Sequence, residues 1–105
     1  MNDNYLESLL DIIKSKKEDD PKLSYTAKLH KKGLDEILKK IGEESAETII
    51  AAKADNSDNL IHEIADLWFH CLVLLSEKNL TVDDIFGELK KREGVSGIDE
   101  KRNRD

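Results

Sequence analysis

The sequence predicts an all-α domain of the four-helix-bundle type. Three observations carry this. Charged residues make up 38% of the 105-residue chain, while Gly (5) and Pro (1) are rare, a composition suited to helices rather than strands. Apolar residues recur at helical spacing in several separate stretches. Side chains that start and stop helices stand between those stretches.

The elements follow in chain order. Residues 5–14 carry Leu6, Leu9, Leu10, Ile12 and Ile13 as a helical stripe, and the charged segment from Ser15 to Pro21 ends it. Residues 22–33 show no clean period and read as an ordered loop with room for one helical turn. The next helix spans about Leu34 to Ala54, with Leu34, Ile37, Leu38, Ile41, Ser45, Thr48 and Ile49 on one face. Asp55-Asn56-Ser57-Asp58 is a turn that supplies the N-cap of a third helix, about Asn59 to Lys78. Asn79 is a helix stop, and Thr81 caps a shorter helix through Arg92 that buries Val82, Ile85, Phe86 and Leu89. The tail from about Gly94 is expected to be mobile.

Length sets a single domain over residues 1–105. The third helix is apolar over most of its circumference, which a chain this small can hardly bury alone. A homo-oligomer, most simply a homodimer, with this helix near the interface is therefore expected. Cys71, the sole cysteine, lies in that apolar run and reads as a buried small hydrophobe.

The net charge of −6 disfavours a nucleic-acid partner. Lys28, Lys31, Lys32, Lys39 and Lys40 gather in one region and Arg92, Lys101, Arg102 and Arg104 in another. They suit a small polyanion, although for most of the lysines a solvated helix face is the plainer reading. Met1-Asn2-Asp3-Asn4 has neither the charge nor the apolar core of a signal peptide, and Glu63, Asp66 and His70 interrupt any membrane span. A cytoplasmic protein is expected, with no membrane partner.

The chemistry sits in two acidic motifs, Glu43-Glu44-x-x-Glu47 and Glu63-x-x-Asp66, five carboxylates within 24 residues. Glu63 and Asp66 interrupt an otherwise apolar helix, where carboxylates repel and lose hydration unless a cation joins them. Ile50 shares the arc of Glu43, Glu44 and Glu47 on the Leu34–Ala54 helix, which predicts that this side is packed against something. An all-carboxylate site selects Mg²⁺ or Mn²⁺ over zinc. Mg²⁺ is commonly completed by substrate phosphates, so water attack on a phosphoanhydride is the natural reaction. No histidine follows a Glu at the Glu-x-x-His spacing of ferritin-like di-iron bundles. His70 is left outside the ligand set, and His62 is expected at the exposed margin.

These motifs resemble those of the all-α nucleoside-triphosphate pyrophosphohydrolases, the MazG-like group. A narrower resemblance adds Ser24-Tyr25-Thr26-Ala27-Lys28-Leu29, Lys39-Lys40-Ile41-Gly42-Glu43-Glu44, Glu63-Ile64-Ala65-Asp66-Leu67 and Arg92-Glu93-Gly94-Val95-Ser96-Gly97. Together these look like the phosphoribosyl-ATP pyrophosphohydrolase family of histidine biosynthesis, over roughly residues 5–102. The resemblance implies Mg²⁺-dependent hydrolysis of phosphoribosyl-ATP to phosphoribosyl-AMP and pyrophosphate. It implies Glu44, Glu47, Glu63 and Asp66 as metal ligands and Glu43, Glu44 and Glu47 as catalytic acids, with the general base unassigned. Glu43 either positions the attacking water or pairs with a lysine. Ser24, Tyr25, Thr26, Lys28 and Lys40 are the implied substrate contacts, although Tyr25 is equally suited to packing the loop on the bundle.

The chain reads as the monofunctional form, because no cysteine-rich zinc domain precedes the first helix. Its end, Lys101-Arg102-Asn103-Arg104-Asp105, departs from the family's usual Lys-Ala-Ser. A pyrophosphohydrolase for ordinary or damaged nucleoside triphosphates would use the same acids, and a non-catalytic helical interaction module would need none of them.

Overall fold

The computed structural model describes residues 4–93. It contains helices α1 (Tyr5–Ser15), α2 (Tyr25–Lys32), α3 (Leu34–Lys53), α4 (Ser57–Glu77) and α5 (Val82–Lys90), and no strand among the described residues. The all-α expectation is met. The expected mobility of the tail and its departure from the family pattern lie outside the described residues.

Five helices stand where four were expected, because the segment read as a loop contains α2. Its ends carry ordinary signals: the Ser24 side chain accepts a hydrogen bond from the Ala27 N–H at 3.1 Å, and Gly33 leaves the helix at φ +96°, where a Cβ is disfavoured. Its buried face is Thr26, Ala27, Leu29 and His30. Half of that face is polar, so no apolar period is visible. His30 is satisfied in place by Glu77 at 3.1 Å and by the Ser76 hydroxyl at 3.3 Å, which ties α2 to the end of α4.

The other boundaries follow from their caps. Asn56 accepts from the Asn59 N–H at 3.1 Å and starts α4, as the turn sequence predicts. Asp55 and Asn79 take the left-handed conformation at φ 57° and 58° after α3 and α4, a conformation short polar side chains tolerate. Thr81 and Asp84 form a reciprocal capping box at 3.1 and 2.9 Å, and the Thr81 N–H holds the Asp84 carboxyl below its ordinary range.

Helices α3 and α4, joined by three residues, pack lengthwise as an antiparallel hairpin. Helix α1 packs on α4, α2 fills the angle against both long helices, and α5 closes on α1. The core gathers Leu10, Ile13, Leu29, Ile37, Leu72, Val73 and Val82, each worth about 1.5–3 kcal/mol when fully removed from water. It therefore sits between the start of α3 and the end of α4. The far end of the hairpin has little cover among the described residues: Ile49, Ile50 and Ile61 are each about two-thirds exposed. The packing expected around Ile50 is absent within the described chain.

Two further expectations about burial need correction. Ile85 and Leu89 are exposed rather than buried, and so is Cys71. They line one wholly apolar groove of about 480 Å³ with Trp68, Leu75 and Phe86. Sequence periodicity places these residues on an apolar face, but nothing among the described residues covers it.

Candidate active site

Helices α3 and α4 hold the acids. Glu44 and Glu47 lie one turn apart on α3, and Glu63 meets them from α4, so that one carboxylate oxygen of each falls within 4.8 Å of the others. Glu44 is 9% exposed and Glu63 8% exposed. The Oε2 atoms of both are buried without a hydrogen-bond partner. Buried carboxylate oxygens are normally satisfied, and these two, with Glu47, could hold a metal ion.

The electrostatics agree. A hydrogen-bonding approach to Glu47, followed by burial and the negative charges of Glu47 and Glu44, pushes Glu63 up to about 7. Burial, then the charges of Glu47 and Asp66, raises Glu44 as well. A raised carboxylate binds its proton more tightly in the folded than in the unfolded chain, so stability falls as pH rises between the two values. For Glu63 that window runs from the ordinary 4.5 to about 7. The metal-free protein should therefore lose thermal stability across this window, and Mg²⁺ should restore most of it at the upper end. Melting curves at several pH values with and without Mg²⁺ check this, and a metal-free melting temperature that rises through the window would contradict it.

Asp66 stands one turn after Glu63, with His62 Nε2 3.4 Å from its carboxylate. His62, Glu63 and Asp66 form a second close group, so Glu63 belongs to both. His62 is exposed, as expected. Glu43 is not part of the trio and pairs with Lys40 at 3.7 Å, so of its two readings the lysine pair is the one observed. Thr48 donates to the Glu44 carbonyl at 2.7 Å, and Ser45 to that of Ile41 at 2.8 Å, leaving neither hydroxyl free to quench the acids.

The Ser24–Lys28 segment lies beside this site. Ser24 is engaged as the α2 cap, and Thr26 is 6% exposed and belongs to the core side of α2. Lys28 borders an open cleft of about 500 Å³ with Lys22, Leu23 and Tyr25. A second cleft of about 430 Å³ runs along Lys16, Asp20, Ser24, Tyr25 and Phe69. Tyr25 borders both clefts and also lies within electrostatic reach of Lys40, Glu36, Glu44 and Asp66.

The residue that sequence reasoning set aside is His70. It is 5% exposed and 2.9 Å from the Tyr25 hydroxyl. A lone histidine with a partner 45 positions away leaves no signal in spacing.

Comparison with known proteins decides the family. The family model described as phosphoribosyl-ATP pyrophosphohydrolase matches residues 6–93. The chain belongs to this family. It is 51% identical to a phosphoribosyl-ATP pyrophosphatase of Hydrogenovibrio crunogenus, over 99% of this chain and 96% of that one. It is 55% identical to the protein of the same name from Nitrosospira multiformis, over 91% of this chain and 79% of that one. A third, from Vesicomyosocius okutanii, is 54% identical over 94% and 91% of the two chains. The family match covers α1 through α5, and with them every acid of the site. No helix among the described residues is long and apolar enough to cross a membrane.

Proposed function

We propose that this family member hydrolyses phosphoribosyl-ATP to phosphoribosyl-AMP and pyrophosphate, the second step of histidine biosynthesis, as a Mg²⁺-dependent cytoplasmic homodimer. The observation that carries the reaction class is the pair of orphaned, buried oxygens on Glu44 and Glu63, set among five acids in a chain of this family.

The residues present fit a hard divalent cation. Glu44, Glu47 and Glu63 would hold it, with Asp66 beside them, and Mn²⁺ would serve in place of Mg²⁺. When bound, such an ion neutralises charge on the anhydride oxygens and activates water. The chain's own part is to position and to accept protons. One carboxylate of the acidic group takes the proton of the attacking water, whose oxygen joins the phosphorus while pyrophosphate departs. Lys40, one turn before Glu44 on α3 and paired with Glu43 at 3.7 Å, would offer positive charge to the phosphates. Tyr25, Ser24, Thr26 and Lys28 belong to the wall that receives the nucleoside.

Exposure of Trp68 (57%), Ile85 (43%) and Leu89 (53%) around the apolar groove supports the dimer, since contiguous apolar surface of this kind usually marks an interface.

Pyrophosphate release should be measured from phosphoribosyl-ATP beside ATP and dUTP, with Mg²⁺ and with chelator. Strong, chelator-sensitive turnover of phosphoribosyl-ATP alone is expected. Preference for the common nucleotides would instead make the chain a general nucleotide pyrophosphohydrolase.

A further inference from the structure

His70 faces two partners. Its Nδ1 lies 2.8 Å from the backbone carbonyl oxygen of Asp66. A carbonyl oxygen only accepts, so Nδ1 carries the proton. In the neutral ring this leaves a bare lone pair on Nε2, and that atom lies 2.9 Å from the Tyr25 hydroxyl. The hydroxyl proton is thereby committed to His70.

The rings are held in this arrangement. Tyr25 and His70 meet edge to face at 5.8 Å and 85°. Phe69 stacks on Tyr25 at 6.4 Å and 25° and meets His70 edge-on at 5.4 Å. Tyr25 remains 48% exposed, while His70 is buried behind it. The phenolic oxygen keeps its acceptor lone pairs and has no proton to give.

We propose that His70 is a positioning residue that sets the polarity of Tyr25, so that the tyrosine accepts a hydrogen bond from a hydroxyl or amino group of the substrate and does not donate one to phosphate. This rests on the pyrophosphohydrolase reading above. Phosphate oxygens are acceptors, as is a hydroxyl whose proton is already used, so the two have nothing to exchange. A ribose hydroxyl or an exocyclic amine does donate. Tyr25 then reads the sugar or base, while the phosphates are left to Lys40 and the cation. His70 also joins the helix that bears Glu63 and Asp66 to the segment that meets the nucleoside.

The first test needs no turnover. Nitrogen-15 spectra of histidine-labelled protein should show His70 as the Nδ1–H tautomer, its signal assigned by loss in His70→Gln. An Nε2-protonated ring would overturn the proposal. The second test is a mutant cycle on phosphoribosyl-ATP. Tyr25→Phe should raise KM about fivefold, the scale of one neutral hydrogen bond, with the loss falling on KM rather than kcat. His70→Leu should raise KM equally, and should add nothing in the Tyr25→Phe background. His70→Gln, whose amide oxygen can stand near the place of Nε2, should recover most of the loss and keeps the test alive where the Leu variant misfolds. Additive effects, or a loss confined to kcat, would overturn the proposal. Analogues lacking the sugar hydroxyl or the exocyclic amine identify the donor: the Tyr25→Phe effect should vanish on one of them, and an effect that persists on both would overturn the acceptor role. A wild-type enzyme inert on phosphoribosyl-ATP, with the Nδ1–H tautomer in place, would defeat the reaction assignment and not the tautomer.

Discussion

Replacing Glu63 by Gln should lower turnover by roughly a hundredfold or more while raising the melting temperature of the metal-free protein by a few degrees. The two effects share one cause. Glu63 is buried, has an orphaned oxygen and stands against Glu44 and Glu47. Its carboxyl is pushed up to about 7, foremost by Glu47. A neutral amide of the same shape relieves that repulsion and supplies an N–H to the neighbouring carboxylates, so the fold gains. The same amide is a poor ligand for Mg²⁺, so the chemistry loses. Steady-state rates and melting curves on the same preparation check both signs. A variant that loses activity and stability together would mean that Glu63 is structural.

The second large effect concerns assembly. Trp68→Asp should weaken the proposed dimer by about a hundredfold or more, because aromatic side chains at the centre of an interface dominate its energy. Trp68 is 57% exposed on the chain and borders the groove with Cys71, Leu75 and Phe86. A charge placed there stays clear of Val73, which is 0% exposed on another face of α4, although Leu72, one turn on from Trp68, borders the same groove. Sedimentation should show a folded monomer. Unchanged mass would move the interface elsewhere, the exposed Ile49, Ile50 and Ile61 end of the hairpin being the alternative surface.

Much of this was legible in the chain because its signals are local. Asn56, Asn79 and Thr81 mark helix ends through chemistry within a few residues. The acids were legible because Glu63 and Asp66 break an apolar run at a spacing that lets one ion reach both. Helix α2 was missed because periodicity counts apolar residues, and its buried face includes Thr26 and His30. The polar half is satisfied by Glu77 and Ser76, far along the sequence. Ile85, Leu89 and Cys71 show another limit. A pattern shows that a face is apolar, but not whether this chain or a second copy covers it. Glu43 shows a third: the motif names three acids, and only the fold brings two of them to Glu63 while the other pairs with Lys40.

The proposed cation site at the buried acids is the centre of the chemistry. The most direct test is calorimetric titration of Mn²⁺, and then Mg²⁺, into the wild-type protein and into Glu63→Gln, without substrate. Saturable binding to the wild type, with protons released on binding near neutral pH and binding lost in the variant, is the predicted result. Equal binding to both proteins, or none to either with phosphoribosyl-ATP turnover intact in chelator, would contradict it.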